Sequence, residues 1–361
     1  MQRRFLFSVL FCCTCLFSFS QTEKWQVYPA YTEAVQVEVA GDYLYCVMKG
    51  SGTVGSTTGN LVRYDTEDGS VKTYDCLHEL HDKEVMYVSY NNSVGRLVVI
   101  YENGNIDIVG ADDTVINQSA LKDKSVTGSS INCVNHFGDV AYLCTSDLVI
   151  KLDVREGIIL DTYKVGQRVH GIFFIEDKIY VALDHGISAL DHEEQLVNPR
   201  SWEPVCDVEI EKIAEFAGTL YVITPGEQLY YVLFEAGTLR SVKSGYSFSE
   251  FFPSEQNLLC LNYGDWLGLF NEERPTSPVV FKQEHDWMDA GFAHDRLYAV
   301  DKSGRLVEYV YDGVIKKFIP QTDDSILKIN SPKRDFFYRM QYMNGRLLVA
   351  GGVNPIEPAY Y

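Results

Sequence analysis

A short strand–turn–strand unit returns along this chain about every 40 residues, and that spacing restricts the fold more than any single motif does. The copies are AGDYLYCVM (40–48), VGRLVVIYENGNIDIV (94–109), FGDVAYLCTSDLVIKLD (137–153) and IEDKIYVALDHGISALD (175–191). They continue as FAGTLYVITPGEQLYYVLF (216–234), EQNLLCLNYGDWLGLFN (255–271), AHDRLYAVDKSGRLVEYV (293–310) and MNGRLLVAGG (343–352). Leu44, Leu97, Ala141, Ile179, Leu220, Leu258, Leu297 and Leu347 align, at gaps of 53, 44, 38, 41, 38, 39 and 50 residues. Four of these gaps lie between 38 and 41, the length of a four-stranded meander with short turns. One such meander cannot bury both of its faces alone, so copies must stack side by side.

Residues 96–109 define the unit. The run from Leu97 to Tyr101 is β-branched and aromatic, suited to a half-buried pleated surface. Asn103-Gly104 then predicts a type I′ turn, with positive φ at both central residues. The chain returns with Ile106 and Ile108 on one face and Asp107 on the other. Outer strands are expected at 71–74, 159–163, 279–281 and 314–319, and short helices only at 116–124 and 209–215. The fold class is therefore all-β: a seven-bladed β-propeller of four-stranded antiparallel blades over residues 21–319, with an eight-bladed ring as the alternative. Trp25-Gln26-Val27-Tyr28 is a candidate stray strand to complete the last blade. Residues 320–334 read as a polar linker, and 335–361 as the start of a further blade or second propeller cut short.

Residues 1–20 read as a signal peptide: basic Arg3-Arg4, an apolar run from Phe5 to Phe17, then Ser18-Phe19-Ser20 before Gln21. The run is short for an anchor of roughly 20 residues, and no later stretch is apolar enough to span a bilayer. The residues before Cys12, Cys13 and Cys15 make a poor lipobox. The net charge of −19 disfavours nucleic acid and anionic membranes as partners. Beyond residue 20, Cys46, Cys76, Cys133, Cys144, Cys206 and Cys260 form no CxxC pair and no zinc-knuckle spacing. Cys46, Cys144 and Cys260 lie in apolar runs and read as small buried hydrophobes, with a disulfide framework as the alternative.

Signals for chemistry are weak. His78-Glu79-Leu80-His81 lacks the helical-turn spacing of a zincin and reads as an interblade loop. The acidic-plus-His stretches 191–194 and 284–289 fall between blades, and Asp184-His185-Gly186 reads as a hairpin turn. Asp65-Thr66-Glu67-Asp68-Gly69 lacks the later ligands of a calcium loop, and the Gly-rich stretch 50–59 lacks the Lys-Ser/Thr of a phosphate cradle. There is no GxSxG elbow. Trp202, Trp266 and Trp287 read as fillers between blades, with sugar stacking as the alternative. No catalytic, cofactor or metal residue is assigned, and no cofactor is expected.

With those residues in place, the chain resembles the N-terminal propeller of the PorZ family of the type IX secretion machinery of Bacteroidetes. The resemblance rests on Trp25 and Tyr31, on Leu61-Val62-Arg63-Tyr64 and on Val88-Ser89-Tyr90-Asn91. Its most specific part is Tyr101-Glu102-Asn103-Gly104-Asn105-Ile106-Asp107. Ser130-Ile131-Asn132, then Asp161-Thr162-Tyr163-Lys164-Val165-Gly166, and Ile179-Tyr180-Val181-Ala182 through Gly186-Ile187 follow in order. It is close over the first 190 residues and becomes mainly blade rhythm from 190 to 335. Membership implies a secreted, non-catalytic surface protein with protein partners in an attachment complex, which supplies anionic lipopolysaccharide to a sortase-like peptidase. It also implies a second propeller and a C-terminal sandwich, of which this sequence is read as carrying no more than a beginning at 335–361. Alternatives from other classes are a glycan- or lipopolysaccharide-binding propeller, the extracellular sensor propeller of a two-component regulator, and a propeller hydrolase or lyase.

Overall fold

Alternate side chains of each second strand go to opposite sides of its blade, and this explains why those strands read as unbroken apolar runs. In Tyr43–Lys49, Tyr45 and Val47 join the core shared with the following blade, while Leu44, Cys46 and Met48 join the core shared with the preceding one. In Arg96–Tyr101, Leu97, Val99 and Tyr101 face backward, and Val98 and Ile100 face forward. A period-two strand buried on both faces has no polar position to show.

The computed structural model describes residues 33–351 apart from 50–58, 77, 123–130, 235–236, 243–246, 255, 262–264, 285, 330–336 and 344–345. Seven four-stranded antiparallel meanders follow one another: blades 1 to 7 span 33–74, 85–118, 133–164, 169–206, 212–241, 250–282 and 287–320. Seven hydrophobic clusters lie between successive blades. The last joins Tyr298, Val300 and Leu306 of blade 7 to Val37, Leu44 and Val62 of blade 1. The molecule is a closed seven-bladed β-propeller. The hairpin Phe337–Met343 with Arg346–Gly351 forms a separate two-stranded sheet, so the eight-bladed alternative is not adopted.

All seven aligned positions from Leu44 to Leu297 sit in the second strand of their blades and are buried. Closure needs no strand exchanged between the ends of the ring, because each blade takes its four strands from one contiguous segment. Trp25–Tyr28, the proposed completing strand, lies outside the described residues, as do residues 1–20 and the Gly-rich stretch 50–58. Among the described residues no helix is long and apolar enough to cross a membrane.

Four local expectations are corrected. Residues 116–124 begin within the outer strand Val115–Gln118 and carry no helix among the described residues, and 209–215 lead into the inner strand Lys212–Phe216. The helical spacing of Ile210, Ile213 and Ala214 is overridden by pairing with Thr219–Ile223. Short 3₁₀ turns stand instead at Glu193–Val197 and Pro199–Ser201, within blade 4. The outer strand of blade 7 is Lys317–Pro320, later than the expected 314–319. Asp312 Oδ1 accepts the Val314 and Ile315 N–H groups at 2.8 and 3.1 Å, and Lys316 has φ +52°, so that stretch is a turn.

The fourth correction concerns the Asn103-Gly104 turn. Only Gly104 has positive φ (+80°). Gly104 N–H donates to Tyr101 O at 2.9 Å and Tyr101 N–H to Asn105 O at 3.1 Å. This is the three-residue loop, an ordinary turn followed by a left-handed glycine, and not a two-residue type I′ turn.

Candidate functional site

The inner strands leave one edge unpaired, and the chain meets this with side chains. First strands of neighbouring blades stand side by side around the axis. Edge N–H groups there would otherwise be orphaned. Gln36 of blade 1 bonds Val88 of blade 2 twice, Nε2 to the carbonyl at 2.8 Å and Oε1 from the N–H at 3.0 Å. Glu38 accepts the Tyr90 N–H at 2.7 Å. Asn135 of blade 3 accepts the Ile172 N–H of blade 4 at 3.0 Å. At the closing seam, Asp289 of blade 7 accepts the Val37 N–H of blade 1 at 2.8 Å. His136 of blade 3 meets Ser89 and Asn91 of blade 2 at 3.0 and 3.1 Å.

Asn135 and His136 also line the central channel, where a cavity of about 300 Å³ lies between the inner strands of blades 3 to 6. Its wall carries Asn135, His136, Ile172 and Phe173, and the ion pair of Lys212 with Glu250 at 2.6 Å. At one mouth Phe137, exposed, stacks on Phe174 with ring centroids 4.2 Å apart. Burial pushes the Glu38 carboxyl up to about 8, against the Tyr90 hydrogen bond and with help from the Asp289 charge. Burial likewise raises Asp289 to about 7, opposed by the Val37 and Ala290 N–H groups. Burial lowers His136 to about 4, so its imidazole is neutral at pH 7.

A second polar cluster caps the other end of blade 2. Asp107 is fully buried. Its Oδ2 accepts Tyr101 Oη at 2.5 Å and the His81 N–H at 2.8 Å, and its Oδ1 accepts Asn117 Nδ2 at 2.8 Å and lies 3.0 Å from His81 Nδ1. Asn117 Nδ2 also donates to Asn105 Oδ1 at 3.0 Å, and Asn103 Nδ2 to Asp82 Oδ2 at 2.7 Å. Lys122 pairs with Asp82 at 2.7 Å. Despite burial, these donors hold the Asp82 carboxyl below its ordinary range. Glu102 contributes its N–H, to Glu84 O at 3.1 Å, while its side chain is exposed. The turn is thus fastened to the 78–84 loop that leads from blade 1 into blade 2.

Tyr101, Asn103, Gly104, Asn105 and Asp107 therefore come together; Asp161, Tyr163 and Gly166 lie elsewhere, at the outer strand of blade 3. Asp161 is exposed; Tyr163 is buried against Glu193, which pairs with Lys151 at 2.6 Å. Gly166 has φ +78° and donates to Asp147 O at 3.0 Å. Trp25 lies outside the described residues.

His78 and His81 part company: His78 Nδ1 is 2.9 Å from Asp75, whereas His81 turns to Asp107. Asp75, His78 and Glu79 hold one ligand atom each within 4.8 Å of one another, a donor set of the kind zinc takes. Lys72 competes for Glu79 at 3.5 Å. His81 with Asp107 has the form of a base and its orienter, but no hydroxyl or thiol hydrogen-bonds the outer nitrogen of His81 among the described residues.

The other sequence candidates are structural in their contacts. Asp65 Oδ1 accepts the Glu67 N–H at 2.8 Å, as in a simple turn, and Asp184 meets His170 at 2.9 Å. His192 precedes the 3₁₀ turn in which Glu193 reaches Lys151, and His285 lies outside the described residues. Trp202 donates to Gln195 O at 2.8 Å inside the blade 3–4 core, and Trp287 fills the blade 6–7 core.

The channel residues Gln36, Glu38, Asn135, His136 and Asp289 escaped sequence reasoning. Their signal was present but faint: Gln36 and Glu38 alternate with valines in EAVQVEVA, Asn135 and His136 stand side by side in CVNHF, and Asp289 stands alone in WMDAGFA.

Comparison with known proteins agrees with this ring. Residues 55–203 match the family model of the PorZ N-terminal β-propeller domain of the type IX secretion system. The structure of PorZ, described as an essential bacterial surface component of the type-IX secretion system of Porphyromonas gingivalis, superposes with a TM-score of 0.74 at 19% identity. That match covers 91% of this chain and 43% of the PorZ chain, so this chain spans less than half of it. A chain of the mitotic checkpoint complex matches with a TM-score of 0.54 at 14% identity, over 82% of this chain and 98% of that one. BamB from Moraxella catarrhalis matches with a TM-score of 0.50 at 11% identity, over 79% and 85%. At these identities all three structural likenesses are of fold alone. No curated protein matches the chain in sequence.

Proposed function

We propose that this PorZ-like β-propeller is a non-catalytic, exported scaffold of a type IX secretion assembly at the cell surface, with residues 1–20 as its export signal. The observation that carries the reading is the joint match: the PorZ family model on residues 55–203 and the PorZ ring over 91% of the chain. The contacts of the polar clusters support it. Asp107 ties Tyr101, Asn117 and the His81 N–H together at blade 2, and Glu38, Asp289 and Asn135 accept backbone N–H groups of neighbouring blades, contacts that hold a ring together. On this reading the Tyr101–Asp107 turn and the Asp161–Gly166 segment are supports of the ring, and the hairpin at 337–351 opens a further module beyond a linker at 320–334.

The finer reading is that the assembly passes anionic lipopolysaccharide to a sortase-like peptidase, and that this ring contributes protein contacts to it. A net charge of −19 makes the ring a poor direct binder of a polyanion. Crosslinking in intact outer membrane, followed by capture of the chain, tests this. Recovery of a sortase-like peptidase is expected; recovery of inner-membrane kinases alone would replace the scaffold with a sensor propeller. Retention of the chain on immobilised lipopolysaccharide in roughly 0.5 M salt, where exposed charge contacts are screened, would move the glycan contact onto the ring itself.

A further inference from the structure

All six described cysteines carry free thiols, and only two of them share a core. Cys46 lies in the blade 7–1 core, Cys260 in the blade 5–6 core and Cys206 beside the blade 4–5 core, while Cys76 sits in the loop after blade 1. Cys133 and Cys144 differ. They are direct partners across the first and second strands of blade 3, and both pack into the blade 3–4 core. Directly opposed residues of an antiparallel pair hold their Cβ atoms about 4.5–5.5 Å apart, and a disulfide takes about 3.5–4.5 Å. Closure therefore asks for rotation of the side chains and an approach of about 1 Å between the strands.

We propose that Cys133 and Cys144 are a redox pair that closes a cross-strand disulfide by exchange with a small or protein disulfide. Cys133 is half-buried and Cys144 fully buried, so the Cys133 sulfur is the one an external disulfide reaches. Its thiolate attacks that disulfide, one external thiolate leaves, and a mixed disulfide forms. The Cys144 thiol then loses its proton and displaces the second external thiolate. The two cysteine thiols are oxidised, the external disulfide is reduced to two thiols, and no other reactant enters.

The pair sits where closing it alters the ring. In the reduced form Cys133 Sγ donates to His170 O of blade 4 at 3.0 Å and to Asn135 Oδ1 at 3.3 Å. That same Asn135 oxygen accepts the Ile172 N–H, and both residues line the channel cavity. Oxidation withdraws a donor from this seam and fastens the two strands of blade 3 instead. The contact with Cys133 and burial both hold the Cys144 thiol protonated, so the closing step accelerates as pH rises.

The test uses the full chain, equilibrated with glutathione disulfide, quenched with acid, denatured and alkylated. The two cysteines lie on one tryptic fragment, but an endoproteinase that cuts at Asp139 separates them. The expected map joins the Cys133 fragment to the Cys144 fragment and leaves Cys46, Cys76, Cys206 and Cys260 alkylated. Dithiothreitol then restores two alkylatable thiols. In Cys133→Ser the Cys144 thiol becomes alkylated, and in Cys144→Ala the Cys133 thiol does. Full alkylation of both residues in the unsubstituted protein after exposure, or capture of glutathione on Cys133 with no internal link, overturns the proposal whatever the variants do.

Discussion

Asp107 holds a turn, a loop and an outer-strand asparagine at once, and it does so without contact with water. Replacing it with Ala would orphan the Tyr101 hydroxyl and the His81 N–H, while Asn117 Nδ2 would keep Asn105 Oδ1 and Ile106 O as acceptors. At roughly 1–3 kcal/mol for each buried group left unpaired, Asp107→Ala is expected to destabilise the ring by about 3 kcal/mol or more. A urea denaturation midpoint reads this; a change below about 1 kcal/mol would show that the cluster relaxes or takes up water. Glu38 and Asp289 tie the stability of the ring to pH. Their folded values, about 8 and about 7, lie above the ordinary 4.5 and 3.8. The folded state therefore binds extra protons, and their contribution is whole below the ordinary values and lost as pH rises toward 8. His136, lowered from 6.5 to about 4, gives an opposing slope confined to that lower window. Between pH 6 and 9 the thermal midpoint of the unsubstituted chain should fall more than that of Glu38→Gln/Asp289→Asn. Parallel curves would mean that neither carboxyl is raised.

Glycine at position 304 shows what a single element contributes to closure. It has φ +74°, and a Cβ there would lie 2.4 Å from Glu33 Cα, where blade 7 abuts blade 1. Ala34 N–H donates to Gly304 O at 2.9 Å at the same place. Gly304→Ala is therefore expected to cost about 1–3 kcal/mol, from strain and from displacement of the first strand. Gly138→Ala is the comparison: it shares the positive φ but faces open space. An equal loss in both variants, seen as equal shifts in thermal midpoint, would remove the steric share of the argument. Strands were readable at this scale wherever a buried pattern was strong, and above all in the second strands around Leu44, Leu97 and Leu258. They were not readable where spacing misled. Ile210, Ile213 and Ala214 carry a helical period, yet Lys212–Phe216 is a strand because Thr219–Ile223 offers it a partner. The turn at Asn103-Gly104 was recognised and its type was not, since both turn types use a left-handed glycine and differ in the residue before it. The side chains that stitch the channel were hidden for a related reason. A lone Gln36 or Asn135 in a strand looks solvent-facing, and only the ring reveals the unpaired edge across from it.

At the scale of the whole molecule, seven cores between seven blades make the ring close on itself, so no blade is stable as a unit apart from its neighbours. This rigidity suits a scaffold that presents its end loops and channel mouths to partners. The most direct check of the closed ring lies at the seam between blades 7 and 1, where His294 Nε2 is 2.6 Å from Asp42 Oδ1, across 252 residues of sequence. Both side chains are exposed, so Asp42→Cys/His294→Cys can be treated with a short bismaleimide at high dilution and mapped by mass spectrometry. A closed seven-bladed ring predicts a near-complete internal link between positions 42 and 294 in the folded chain and its loss in denaturant. Folded chains that stay unlinked at this pair, while each single variant reacts fully, would contradict it.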